Sequence, residues 1–521
     1  MGCTVSLRVP RIDRLPTALP ESILLWLYFA LLAWLSVYGL HRCYLVYLYT
    51  KYRQPVLSGG LPDDPPAPRV TVQLPLYNEM YVVERLIDAV AQLDYPKDRL
   101  EIQVLDDSTD ETRQIAQQVV DSWVDRGVNI QYVHRMVRTG FKAGALADGL
   151  RRSTGEFVAI FDADFIPSPD FLIQTLPSFD DSRVGMVQAR WGHVNERCSL
   201  LTRVQAILLD AHFSLEHGAR SRAGCFFNFN GTAGIWRRAA IEAAGGWQHD
   251  TLTEDLDLSY RAQLAGWRFV FRPDVVAPAE VPVEINAFKT QQHRWAKGSV
   301  QTCLKVLPTV LTADLPVRVK AEAFFHLTAN FNYPLMLALA VLMVPALLVR
   351  TTVEWPSLLL VDLPLLCAAT LSIANFYALS QIACRRDWLM QLRYIPAVMA
   401  VGVGLSVTNT AAVAAAMFNR SGEFRRTSKY GVVDSGDDWI GKRYGQSMIG
   451  QPLIEIGLGL YFTAAVFYVV PTQLLALPFL CLFQCGFLYM GFVALLQQHW
   501  RADLASHSRA ETPSRVQSGG V

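Results

Sequence analysis

Hydrophobic residues in this chain are concentrated in blocks. Ser22 to Val46 is nearly free of charge, and from about Phe324 onward long apolar runs return at roughly 325–349, 356–381, 392–418, 452–470 and 474–497. A helix needs about 20 apolar residues to cross a bilayer, so each run is long enough to be considered. The first is too long for a signal-peptide core and reads as a retained anchor. Between the blocks, short β-rich runs alternate with helical texture. Arg69–Leu74, Ile102–Leu105, Ile130–Val133 and Phe157–Phe161 read as strands, and Glu79–Leu93 and Glu111–Arg126 read as helices. That alternation predicts an α/β unit with a parallel sheet covered on both faces.

The resulting layout is an N-terminal region 1–55 with one anchor at about 22–46 and a Pro-rich linker 56–69. A globular unit 70–310 follows, then a membrane region 320–500 and a polar tail 501–521 expected to be disordered. Composition agrees, with 51% hydrophobic and 18% charged residues. A formal net charge of +1 gives no footing for nucleic-acid binding. The nine cysteines show no repeated ligand spacing, so neither a disulfide framework nor a zinc site is implied.

The candidate chemistry sits at predicted strand ends, where ligands bind in open α/β sheets. Asp162-Ala163-Asp164 follows the apolar strand 156–161, and Asp106-Asp107 follows the strand 102–105, a neighbouring strand end. Two carboxylates at i and i+2 can reach one hard cation, Mg²⁺ or Mn²⁺, together with phosphate oxygens. Such a pair would otherwise be a solvated helix cap. Lys142, in Gly140-Phe141-Lys142-Ala143-Gly144, starts a helix between the clusters and is either a diphosphate ligand or a surface lysine. Asp255, in Thr253-Glu254-Asp255, opens the helix 256–264 and is either a general base or an acidic cap. In Gln291-Gln292-His293-Arg294-Trp295, Arg294 suits phosphate and the Trp295 indole suits a sugar face or a lipid headgroup layer.

In this order the four elements Asp106-Asp107, Asp162-x-Asp164, Thr253-Glu254-Asp255 and Gln291-Gln292-x-Arg294-Trp295 resemble the pattern of processive family-2 glycosyltransferases, the group of cellulose, chitin and hyaluronan synthases. The stretches 102–110 (IQVLDDSTD), 140–146 (GFKAGAL), 230–236 (NGTAGIW) and 254–267 (EDLDLSYRAQLAGW) bring it nearer to the cellulose synthase-like A and C branches, which include mannan and glucomannan synthases. The resemblance implies a GT-A domain inserted between transmembrane helices, an inverting single displacement and a β-linked product. It assigns Asp106 to the nucleoside and Asp107 and Lys142 to the diphosphate. Asp162 and Asp164 would hold the metal, and Asp255 would be the base. Glu254, Gln291, Arg294 and Trp295 would serve the acceptor and diphosphate end.

The implied donor is UDP-glucose or GDP-mannose, and the implied acceptor a growing β-1,4 glycan; single-sugar transfer to ceramide or diacylglycerol is the alternative. Residues 423–431 (EFRRTSKYG) partly resemble the family's gating loop, with Phe424, Thr427 and Lys429 in matching places and Arg425 and Arg426 departing from it.

Nucleotide-sugars are cytosolic, so the globular unit should face the cytosol, of a bacterial inner membrane on this reading. Arg8, Arg11 and Arg14 then lie against the positive-inside tendency. The segment 392–418 is interrupted by Asn409 and followed by the basic Arg420, Arg425, Arg426 and Lys429, so it is expected to lie at the cytosolic interface, leaving five true spans.

Overall fold

A computed structural model describes residues 21–52, 67–350, 361–385, 387–418, 426–437, 439–445, 450–469 and 474–510. Most of the Pro-rich linker, Phe424 and Arg425 of the loop, and the tail beyond Ala510 lie outside the described residues.

Seven strands form one sheet in the order β3-β2-β1-β4-β6-β5-β7. They are β1 (Val70–Leu76), β2 (Leu100–Asp106), β3 (Ile130–His134), β4 (Phe157–Ile160), β5 (Val184–His193), β6 (Gly234–Arg237) and β7 (Arg268–Ala279). The first four run parallel, with Val70 opposite both Leu100 and Phe157. The sheet is mixed rather than wholly parallel, because β6 enters antiparallel between β4 and β5. At four residues β6 is too short to show a period, so its direction was hidden in the sequence. Its entry brings the preceding loop to the edge where β1, β2, β4, β5 and β7 all end.

The central strands are buried on both faces, as in a covered sheet, but only one face of β1 and β2 is apolar; the other carries the buried Thr71, Gln73, Glu101 and Gln103, hydrogen-bonded to one another. Val72, Leu74, Ile102 and Val104 pack with the Val83–Ala91 and Thr112–Asp125 helices on one side. Val158, Ile160 and Trp236 pack with the Phe141–Arg152 and Glu254–Leu264 helices on the other.

Among the described residues, six helical segments are long and apolar enough to cross a membrane, which makes this a multi-pass membrane protein: Glu21–Lys51, Val317–Val349, Leu363–Cys384, Ile395–Phe418, Gly450–Tyr468 and Leu474–Ala502. The fourth differs from the rest. Of its apolar window 67% is buried within the protein, against 17–39% for the others. It lies along the amphipathic Ile285–Thr312 helix, with Val398, Val401 and Leu405 on Ile285 and Phe288, and Val413 and Ala416 on Val300.

Its two ends both meet the globular unit. Arg203 stacks on Tyr394 at one end, and the chain beyond the other end pairs Arg426 with Glu79 and Lys429 with Asp164. On its opposite side the Leu477–Ala510 helix crosses closely, since a Cβ at Gly404 would stand 2.6 Å from the Gly486 carbonyl oxygen. The run is therefore apolar because protein surrounds it.

The tail expectation needs correction, because the last helix continues through 501–510. Arg501 anchors it by bonding the Tyr430 hydroxyl at 2.7 Å and approaching Glu284 at 3.3 Å.

Candidate active site

The strand ends and the segment after Ile395–Phe418 enclose one cleft. Its walls include Glu79, Asp107, Lys142, Asp162, Asp164, Glu254, Asp255, Gln291, Arg294, Trp295, Thr427 and Lys429. These residues come from seven separate stretches of chain that the fold brings together, and all but Glu79 are expected from the sequence.

Asp106 is the exception. It is fully buried, takes the Tyr132 hydroxyl at 2.6 Å and the Ser108 N–H at 2.8 Å, and does not line the cleft. Successive strand residues point to opposite faces, so only one of the adjacent pair can reach the opening. Asp107 does, held by a fork from Arg135: Nε to Oδ1 at 2.7 Å and Nη2 to Oδ2 at 2.5 Å.

Asp162 and Asp164 follow β4, and each carries a lysine. Lys142 Nζ donates to Asp162 Oδ1 at 2.5 Å and to the Gly231 carbonyl at 2.9 Å. Lys429 Nζ donates to Asp164 Oδ2 at 2.6 Å and to the Glu280 carbonyl. These carboxylates already hold cations in the form of ammonium groups, which is the chemistry a divalent ion asks of them. Among the described residues no cluster of three His, Cys, Asp or Glu forms around an ion site.

Asp255 opens the Glu254–Leu264 helix and takes the Leu256 N–H at 2.8 Å. Burial, reinforced by the neighbouring Glu254 charge and opposed by Lys142, pushes its pKa up to about 7. That is where a general base works best near neutrality. Burial also pulls Arg294 below the usual guanidinium range, against the attraction of Glu254, Asp162 and Asp255. Gln291, Arg294 and Trp295 share the cleft face of the Ile285–Thr312 helix at i, i+3 and i+4 spacing, and Gln292 and His293 are not on it.

Several cleft residues carried no recognisable pattern in the sequence. Glu79 follows a left-handed turn at Asn78 (φ 56°), pairs with Arg426 at 2.7 Å, and is pushed up to about 7 by burial despite that partner. Arg138 lies over the Tyr77 ring, 3.5 Å from its centroid. Trp191 and His193 end β5, and Asn230 and Gly231 precede β6. Glu280 follows β7 and accepts the N–H groups of Tyr430 and Gly431 at 3.0 and 2.8 Å. The one available signal was position, since all of them lie at the sheet edge that already held the acidic pairs.

Residues 67–298 match the family model described as "Glycosyltransferase like family 2". The probable glucomannan 4-beta-mannosyltransferase 7 of Oryza sativa subsp. japonica is 42% identical over 318 residues, covering 56% of this chain and 54% of the relative. Glucomannan 4-beta-mannosyltransferase 2 of Arabidopsis thaliana is 47% identical over 249 residues, 47% of each chain. The chain thus spans about half the length of the curated relatives it matches. Among solved structures, the mannosyltransferase PcManGT from Pyrobaculum calidifontis, in complex with GDP-Man and Mn²⁺, is 24% identical with a TM-score of 0.51, covering 76% of this chain and all of that one. This likeness bears on the fold alone, which is GT-A.

Proposed function

We propose, from the premise of a family-2 glycosyltransferase domain on a GT-A fold, that this chain transfers mannose from GDP-mannose to a growing β-1,4-linked glycan with inversion. One observation carries the reading: Lys142, Asp162, Asp164, Asp255 and Trp295 line one cleft although up to 153 residues separate them. The choice of mannose over glucose rests on the named relatives, which are glucomannan mannosyltransferases. Their polymeric product also disfavours single-sugar transfer to a lipid.

On this reading Asp255 takes the proton from the acceptor hydroxyl as that oxygen bonds to the sugar C1 and the C1–phosphate bond breaks. Lys142 steadies the diphosphate that departs, and Arg294 adds a second cation on the same side. Trp295 offers its indole face to the terminal sugar of the acceptor, with Gln291 and Glu254 beside it. Asp107 is the carboxylate of its pair that faces the nucleotide. Asp162 and Asp164 would hold Mg²⁺ or Mn²⁺, which when bound neutralises charge on the leaving diphosphate. Thr427 and Lys429 cover the cleft as a gating loop would.

The cleft side is proposed to be cytosolic. The Ile395–Phe418 helix then lies at that interface, and the other five long apolar helices cross. The named relatives are plant proteins and lend no support to a bacterial inner membrane. The reading needs only a membrane whose cytosolic face meets the nucleotide-sugar pool.

The test is incubation of membranes with radiolabelled GDP-mannose, UDP-glucose and other nucleotide-sugars, with the product sized and digested by β-mannanase. Label in a mannanase-sensitive polymer is expected from GDP-mannose. A single organic-extractable glycolipid, or incorporation from UDP-glucose alone, would overturn it.

A further inference from the structure

We infer that Lys429 and the divalent cation compete for Asp164, the ammonium of the chain's own loop capping the carboxylate that the cation would use. The inference rests on the assignment of Asp162 and Asp164 as metal ligands and concerns how access to them is controlled.

The two carboxylates are not equivalent. The Asp162 side chain is 34% exposed and meets Lys142 through one oxygen. The Asp164 side chain is 8% exposed, and its Oδ2 lies 2.6 Å from Lys429 Nζ. The same ammonium donates to the Glu280 carbonyl oxygen. Lys429 therefore sits between a carboxylate and a carbonyl, the hard oxygen donors that Mg²⁺ or Mn²⁺ would use.

The segment that delivers the lysine is fastened independently of Asp164. The Glu280 carboxylate takes the next two backbone N–H groups, and the Tyr430 hydroxyl donates to Glu284 at 2.9 Å. Arg501 of the last helix donates to that hydroxyl, and Arg426 holds Glu79 three residues before Lys429. Gly431 has φ +69°, and a Cβ there would stand 2.8 Å from the Tyr81 carbonyl oxygen, so the turn is tight against the wall.

An ammonium and a dication cannot both sit on one shielded carboxylate, because like charges repel strongly where solvent is excluded. Metal binding across Asp162 and Asp164 then requires Lys429 to withdraw. The arriving donor supplies diphosphate oxygens as its new partners. Metal without nucleotide should bind poorly, in proportion to the small fraction of molecules with the lysine away.

The experiment uses the full chain purified in detergent and titrated with Mn²⁺ alone, free aqueous Mn²⁺ being read by electron paramagnetic resonance. Apparent affinity equals intrinsic affinity scaled by the competent fraction, so Lys429→Gln should bind Mn²⁺ about tenfold or more tightly than wild type. Adding Asp164→Asn to that variant should abolish the gain. An unchanged or weaker affinity in Lys429→Gln would overturn the inference. Should that variant not be recovered folded, hydrogen exchange of residues 426–433 in wild type decides: Mn²⁺ should speed it, and unaltered exchange overturns the inference. Neither measurement includes a nucleotide-sugar, so failure here would leave the substrate reading standing, and a wrong substrate would leave this outcome unaffected.

Discussion

Gly231 leaves no room for a side chain beside Asp255. Its φ is +81°, and a Cβ built on it would stand 3.0 Å from Asp255 Oδ2 and 3.3 Å from Lys142 Nζ, while its carbonyl holds that same ammonium. Backbone at this turn thus fixes the separation of the proposed base from the proposed diphosphate ligand. Gly231→Ala adds strain of roughly 1–2 kcal/mol from the left-handed conformation and pushes on the carboxylate. Displacements of about 1 Å at reacting groups can cost on the order of a hundredfold. Turnover is expected to fall by about 10–100-fold while the protein still folds and inserts. Retention of more than half the wild-type rate would mean that the turn does not set the site.

Asp255→Asn should remove the base and leave the ground-state contacts nearly untouched. Loss of a general base costs roughly 10²–10⁴-fold in rate. Donor affinity, measured separately from turnover, should change little. The pH dependence has a definite sign. The carboxyl must be ionised to accept a proton, and burial beside Glu254 raises its pKa to about 7. Activity should therefore rise through pH 7 and fall by about tenfold per unit well below it. A profile flat from pH 5 to 8 would place the base elsewhere.

Trp295→Ala should affect glycan extension more than donor hydrolysis, because an indole face orients the acceptor sugar and leaves the diphosphate alone. Aromatic packing contributes about 0.5–1.5 kcal/mol, so extension should drop by about two- to tenfold while hydrolysis stays near the wild-type rate. Equal loss of both would make Trp295 a packing residue of the Ile285–Thr312 helix.

The parts of the site that could be read in the sequence were those made by neighbours in sequence. Asp162-x-Asp164 and Thr253-Glu254-Asp255 are compact groups at strand or helix ends, so spacing alone carried their chemistry. Glu79 and Glu280 are single carboxylates, and their partners Arg426 and Tyr430 lie 347 and 150 residues further on. No local pattern could join them. Asp106 and Asp107 were visible as a pair, but which one faces the cleft depends on strand register. The same limit applied to the sheet: parallel strands followed by helices were legible, while β6 took its direction from neighbours that it meets only after folding. For the 392–418 segment, hydropathy alone reads as a span while the polar Asn409 and the basic residues after it point to the interface, and the labelling experiment below decides between the two.

Those basic residues lead to a topological prediction. Two further helix ends are tied to the globular unit on the side of the cleft. Arg385, after the Asp362–Cys384 helix, bonds Asp210 at 2.6 Å and Glu196 at 2.7 Å. Gln497, late in the last helix, accepts the Ile285 N–H at 2.8 Å. If Ile395–Phe418 crossed the membrane, the segment after it would emerge opposite the cleft, and Lys429 could not reach Asp164. Ser435 is exposed on that segment. A single cysteine there, in a background cleared of native cysteines, should resist an impermeant thiol reagent in intact cells and react after permeabilisation. Labelling of the Ser435 site in intact cells would put the loop outside, and both the cytosolic interface helix and the competition for Asp164 would fail with it.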